Sequence, residues 1–149
     1  MEYTRSTTVA GDRSAVAALY VDTATWPAWQ PALLSIEVLE GAPPATGARS
    51  RLTFRRGRSG TMVMTETIES SALPEHWNVV YEVAGVHNVC ETRFEQKDAS
   101  TTLIEQRNVF RFSGFMRVVG VLFGRSFPAE TQRSLDAFRA FAAERLGGA

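Results

Sequence analysis

Residues 60–70 read Gly-Thr-Met-Val-Met-Thr-Glu-Thr-Ile-Glu-Ser, and they alternate between two kinds of side chain. Met62, Met64, Glu66 and Ile68 fall on one face of an extended chain, while threonine and valine fill the other face. A period of two over this length is typical of a half-buried β-strand. The methionines and the isoleucine indicate that their face is turned toward a core, so this strand sets which side of the sheet is inside.

The same alternation continues in the runs on either side of this strand. Further short runs of alternating apolar and polar residues are separated by turn-forming segments rich in Gly, Pro, Asp and Ser. The inward-facing frame of the sheet is set by Ile36, Phe54, Ile68, Val79, Phe94 and Phe110. Successive strands joined by short turns predict an antiparallel meander rather than βαβ units, and we expect it to extend from Leu33 to Phe112.

The residues before the meander predict one more strand and two short helices. The strand lies near Glu2–Val9, and Asp12 is a suitable N-cap for the helix that follows it. The apolar positions of that helix are Val16, Leu19 and Tyr20. A second short helix or turn follows, with Pro27 near its start and Pro31 preventing its continuation.

The residues after the meander predict a long C-terminal helix. Two sets of residues fall at helical spacing: Phe115, Val118, Val119 and Leu122, then Thr131, Leu135, Phe138, Ala142 and Arg145. Pro128 lacks an amide hydrogen and would clash with the carbonyl of Gly124 in a continuous helix. We therefore expect a kink or break at Pro128.

Length and composition predict one globular domain over residues 1–149. Arg plus Lys equals Asp plus Glu at 16 each, so no net field favours nucleic acid or an anionic membrane. The first residues lack the apolar core of a signal peptide, and no apolar run is long enough for an integral membrane segment. We expect a cytoplasmic protein.

Residues 15–29 carry a recognisable signature, Ala-Val-Ala-Ala-Leu-Tyr-Val-Asp-Thr-Ala-Thr-Trp-Pro-Ala-Trp. Gly41 and Gly47 follow between two of the predicted strands. With the order of elements, this pattern resembles the Bet v 1/START-like (SRPBCC) superfamily, and in particular its polyketide cyclase/dehydrase-like branch. The resemblance implies an α+β helix-grip fold, in which a curved antiparallel β-sheet wraps around a long C-terminal α-helix and two short helices lie between strands 1 and 2. It also implies a pocket between the sheet and the long helix.

Polar residues in the inward frame are the candidate ligand-binding groups. The parity of the strands turns Glu66, Tyr81, Asn88, Thr92, Gln106 and Asn108 toward the pocket. A few convergent polar groups in an apolar cavity can orient a small molecule, although a satisfied polar network that only fixes the sheet is the alternative. The apolar candidates are Trp26, Trp29, Met64, Phe115 and Val119. The two tryptophans could wall the pocket mouth or belong to the core.

Glu66 is the strongest single candidate for a catalytic residue. A carboxyl group on an apolar concave face has a raised pKa or is paired with another group. It could then act with Tyr81 as a catalytic proton-transfer pair. Two alternatives to a catalytic role remain. Glu66 could make only a structural hydrogen bond to Tyr81, or a register shift near a β-bulge could turn it to solvent.

Three functional hypotheses follow. The first is binding of a hydrophobic small molecule, lipid-like or polyketide/aromatic, in an internal cavity. The second is a polyketide cyclase/dehydratase-type enzyme that uses Glu66 and Tyr81, and the third is a protein-binding module. We expect no cofactor and no metal, because two distant histidines and Cys90 form no ligand cluster.

Overall fold

The computed structural model describes residues 1–147, which form a seven-stranded antiparallel sheet and four α-helices. The strands are β1 (Glu2–Ala10), β2 (Leu33–Glu40), β3 (Arg49–Arg56), β4 (Gly60–Ala72), β5 (His76–Val83), β6 (Val86–Asp98) and β7 (Thr101–Phe112). The helices are α1 (Arg13–Tyr20), α2 (Trp26–Trp29), α3 (Met116–Phe123) and α4 (Ser126–Leu146), with a 3₁₀ turn over Thr23–Thr25. The predicted α+β helix-grip fold is confirmed.

The strands lie in the order β1-β7-β6-β5-β4-β3-β2, so β2 to β7 form the predicted meander and β1 pairs with β7. The meander runs from Leu33 to Phe112, as the alternation predicted. Cross-strand pairs join Leu52 to Met64, Glu66 to Tyr81 and Asn88 to Phe110. The inward frame is therefore continuous across the sheet.

A capping side chain and two prolines set the ends of the two short helices. The side chain of Asp12 accepts a hydrogen bond of 3.0 Å from the amide of Ala15 and caps α1, as predicted. Pro27 lies in the first turn of α2, and the helix ends before Pro31. The buried indole of Trp26 donates to the carbonyl of Tyr20 at 2.8 Å, which ties α2 to the end of α1.

The C-terminal helix is broken, but not at Pro128. The break falls between Phe123 and Ser126, and Pro128 is the third residue of α4. Amides in the first turn of a helix have no partner within it, so proline is tolerated there. The carbonyl of Gly124 accepts instead from Phe127 at 3.3 Å. Pro128 therefore lies at the start of a helix instead of interrupting one.

The two C-terminal helices differ in how firmly they are packed. Leu135, Phe138 and Ala142 of α4 are at most 1% exposed. α4 also bonds to β1, where the Tyr3 hydroxyl lies 2.7 Å from that of Thr131. α3 has no buried residue. Within residues 1–147, no helix is long and apolar enough to cross a membrane.

Candidate functional site

The six predicted polar residues share the concave face of the sheet and form what we call the polar band. Its members are Glu66, Tyr81, Asn88, Thr92, Gln106 and Asn108. They lie on β4 to β7, where Glu66 pairs with Tyr81 and Thr92 pairs with Gln106. The prediction that strand parity brings these side chains to one face is confirmed by the register.

Glu66 lies on the concave face in β4 and is 2% exposed. Its Oε2 has no hydrogen-bond partner among residues 1–147. Burial raises the pKa of the carboxyl from 4.5 to about 7, and the Tyr81 hydroxyl offsets part of that rise. Near neutral pH the group therefore holds a proton for part of the time, which suits it to exchange a proton or a hydrogen bond with a ligand.

The amides of the polar band form a ladder that ends on a tyrosine. Asn88 Nδ2 donates to Asn108 Oδ1 at 3.2 Å, and Asn108 Nδ2 donates to Gln106 Oε1 at 3.1 Å. Gln106 Nε2 then donates to the Tyr20 hydroxyl at 2.9 Å and to Thr92 Oγ1 at 3.4 Å. Much of the hydrogen-bonding capacity of Gln106 and Asn108 is thus used within the protein.

Tyr20 joins the polar band through a hydrogen bond that the sequence did not predict. It is 7% exposed at the end of α1, and burial raises the pKa of its hydroxyl. Because the hydroxyl oxygen accepts from Gln106, its own proton remains available to another acceptor. The helical spacing of Val16, Leu19 and Tyr20 was visible in the sequence. A tyrosine on the apolar face of a helix beside a polar strand face was the signal that could have found it.

The two predicted tryptophans have different places. Trp26 is a core residue, packed on Trp77 at 6.2 Å between ring centroids, with its indole N–H bonded. The ring of Trp29 packs on Tyr20 at 5.4 Å and on Phe138 at 5.1 Å. Its buried Nε1 has no partner within the described chain. Trp29 therefore keeps a donor for a ligand, and Trp26 does not.

We call the concave face of the sheet the groove, its part with packed aromatic rings the closed end, and its part with partly exposed apolar side chains the open end. At the closed end, Tyr20 packs against Trp29, Trp77, Phe94 and Phe138. At the open end, partly exposed apolar side chains lie on β2 to β4: Ile36, Phe54, Met62 and Met64. Met64 thus lies on the concave face, two residues from the buried Glu66, and is partly exposed.

The two remaining candidates lie at the surface. Phe115 is 78% exposed just before α3, and Val119 is partly buried within α3. At this exposure Phe115 does not line the interior. Two open surface clefts of about 350 and 330 Å³ adjoin α3 at Met1, Gly120 and Val121. Neither cleft is lined by a residue of the polar band.

The other reactive side chains contribute little here. Cys90 is buried on the concave face, and burial raises the pKa of its thiol to about 12. His76 lies 3.0 Å from the Ser70 hydroxyl, and His87 lies 3.9 Å from Glu82 near the surface. No group of three or more His, Cys, Asp or Glu side chains within residues 1–147 could hold a metal ion.

Comparison with solved structures supports the fold. The chain is similar to Ara h 8.0201, with 14% identity and a TM-score of 0.71 over 97% of this chain and 99% of that one. It is similar to truncated norcoclaurine synthase from Thalictrum flavum, with 13% identity and a TM-score of 0.74 over 98% and 93%. It is also similar to the di-domain ARO/CYC BexL from the BE-7585A biosynthetic pathway, with 17% identity and a TM-score of 0.76 over 94% and 45%.

A scan against protein-family models found no match, and a search of curated proteins found none either. The structural neighbours are Bet v 1-type proteins, so the predicted resemblance is confirmed at the level of the fold. At sequence identities this low, similarity of fold does not identify a ligand or a reaction.

Proposed function

We propose that this chain, with its Bet v 1-like helix-grip fold, binds a hydrophobic small molecule in the groove between the sheet and α4. The observation that carries the proposal is the buried Glu66 carboxyl, whose Oε2 has no partner among residues 1–147. A buried polar atom without a hydrogen bond costs about 1–3 kcal/mol. A ligand that bears a hydroxyl or carbonyl group removes that cost when it binds.

The surroundings of Glu66 favour a ring-containing or lipid-like ligand with oxygen substituents. Apolar side chains of Met64 and Phe54 extend from Glu66 toward the open end. The unpartnered indole N–H of Trp29 and the hydroxyl proton of Tyr20 supply donors at the closed end. Apolar walls with a few polar groups are the usual composition of small-molecule sites. In this proposal, residues 1–149 form one ligand-binding domain.

A fluorescence titration with 2-naphthol, a ring with one hydroxyl group, tests this proposal. We expect saturable binding to the wild-type chain and its loss in Met64→Lys, which places a charge in the groove. Val63→Lys is the matched control, because Val63 is the neighbouring residue on β4 and is 48% exposed on the opposite face. Equal binding of 2-naphthol by both variants would mean that it binds outside the groove, against the proposal. A wild-type chain that does not bind 2-naphthol would also count against the proposal.

The second candidate is a polyketide cyclase/dehydratase-type enzyme. The arrangement that favours it is the buried Glu66 carboxyl, which pairs across the strands with Tyr81 and whose pKa burial raises to about 7. A carboxyl group of that pKa can take and return a proton at neutral pH. Glu66→Gln separates the two candidates, since a binding protein keeps most of its affinity for 2-naphthol. An enzyme loses turnover of its poly-ketone substrate, while Glu69→Gln, an exposed control on β4, leaves it unchanged.

A further inference from the structure

The helix α3 and the residue before it expose an unusual apolar surface, which we call the α3 face. Its members and their exposed fractions are Phe115 (78%), Val118 (53%), Val121 (83%), Leu122 (67%) and Phe123 (58%). Phe115, Val118 and Leu122 follow one another at helical spacing and form its central stripe. The burial of these side chains would release water from a contiguous apolar surface, so the α3 face indicates a docking site.

Positive charge borders the α3 face on one side. Arg117, Val121 and Arg125 are spaced four residues apart, and Gly124 and Arg125 keep helical dihedral angles beyond the end of α3. Both arginines are exposed. The ion pairs found among residues 1–147 involve neither of them. The face and its flank are therefore apolar and cationic together.

Acidic residues are absent from the stretch of sequence that contains α3. The sequence contains no Asp or Glu between Glu105 and Glu130. Glu2 adjoins Arg125 at one cleft, but its carboxylate is paired with Arg107 at 2.8 Å. The zero net charge of the chain thus conceals a local excess of positive charge around α3.

α3 is held against the end of β7 and the turn between β5 and β6. Met116 packs against Gly85 at the turn between β5 and β6, where a methyl group on Gly85 would lie 2.6 Å from Met116 Cγ. Gly120 lies directly against the ring of Phe112, the last residue of β7. These contacts hold the inner side of α3 against the sheet and leave its apolar stripe turned outward.

We propose that the α3 face docks onto a lipid bilayer surface that carries anionic headgroups. Its apolar side chains would enter the boundary between headgroups and acyl chains, and Arg117 and Arg125 would reach the lipid phosphates. A second copy of the chain fits less well, because pairing two such faces brings arginines together with no acidic partner. Specific protein interfaces also take roughly 20–30 residues from each side, far more than this face offers.

Co-sedimentation with vesicles tests the docking surface. The vesicles are phosphatidylcholine with and without an equal part of phosphatidylglycerol, at low salt. We expect the wild type to bind the anionic vesicles and Val118→Glu to lose roughly tenfold or more in affinity. Arg117→Gln and Arg125→Gln should each lose about fivefold, which corresponds to ~1 kcal/mol for a basic side chain near an anionic surface.

Val38→Glu is the matched control, because Val38 is 52% exposed on β2, away from α3. This variant should bind the anionic vesicles as the wild type does. Binding that survives Val118→Glu, or a wild type that ignores both kinds of vesicle, would overturn the proposal. Sedimentation velocity adds the third outcome: self-association abolished by Val118→Glu, without vesicle binding, would assign the face to a second copy. The assay contains no groove ligand, so its failure leaves the proposed ligand binding untouched.

Discussion

The carboxyl group of Glu66 links the stability of the protein to pH. Its pKa is about 7 in the folded chain because burial penalises the charged form, and 4.5 is its ordinary value. The folded chain therefore keeps this proton over a range in which the unfolded chain has released it. Stability contributed by the protonated group is present at low pH and is lost as the pH rises toward 7.

Urea unfolding of wild type and Glu66→Gln measures this effect. Between about pH 5 and about pH 8 the wild type should lose on the order of 2 kcal/mol more stability than the variant, because glutamine cannot ionise. Glu69→Gln on the same strand is exposed and should follow the wild type. The same pH dependence in wild type and Glu66→Gln would mean that the carboxyl has an ordinary pKa.

The ladder that ends on Tyr20 predicts energetic coupling between two distant parts of the sequence. Gln106 Nε2 and the Tyr20 hydroxyl lie 2.9 Å apart and are 86 residues apart in sequence. A double-mutant cycle of Tyr20→Phe and Gln106→Leu should give a coupling of about 0.5–1.5 kcal/mol in unfolding free energy.

Tyr20→Phe combined with Gln132→Leu is the control cycle. Gln132 bonds to the Ser6 carbonyl and to Asp136, so its coupling to Tyr20 should be near zero. Equal coupling in the two cycles would contradict the ladder.

Strand alternation was enough to predict which side chains share the concave face, because the side-chain period of a strand is two. Glu66 and Asn108 were found in this way. The alternation did not show that Asn108 bonds to Gln106, nor that Tyr20 of α1 completes the ladder. Those contacts depend on how a helix packs over the sheet, which local sequence does not encode.

At the scale of elements, the sequence predicted the strands better than it predicted the C-terminal helix. The bounds of the meander followed from turn residues and period. The effect of Pro128 could not be predicted in this way, because proline breaks a helix in its middle but is tolerated in its first turn. The choice between the two depends on where α4 begins, and Gly124 lies between the two helices.

Amide hydrogen exchange should distinguish α3 from α4. α3 has no buried residue, whereas Leu135, Phe138 and Ala142 of α4 are buried. Segments with few buried contacts open at lower free energy, so exchange should be faster across residues 116–124 than across residues 134–141. Anionic vesicles should slow exchange across α3 and leave α4 unchanged. Equal protection of both segments without vesicles would mean that α3 is held as firmly as α4.

At the scale of the whole molecule, the helix grip has one closed end and one open end. Tyr20, Trp29, Trp77, Phe94 and Phe138 pack together at the closed end. The partly exposed Ile36, Phe54, Met62 and Met64 form the open end, and α3 lies against β7 and the β5–β6 turn. An apolar ligand of the kind proposed would therefore enter past Met64, at the open end.

Native mass spectrometry of the protein purified from its own host tests the proposed ligand binding most directly. We predict that the wild-type chain carries one small organic molecule, which is released on denaturation. Val63→Lys should carry the same molecule, and Met64→Lys, altered within the groove, should carry none. A wild type that shows only the mass of the bare chain, or a Met64→Lys variant that keeps the same molecule, would contradict the account.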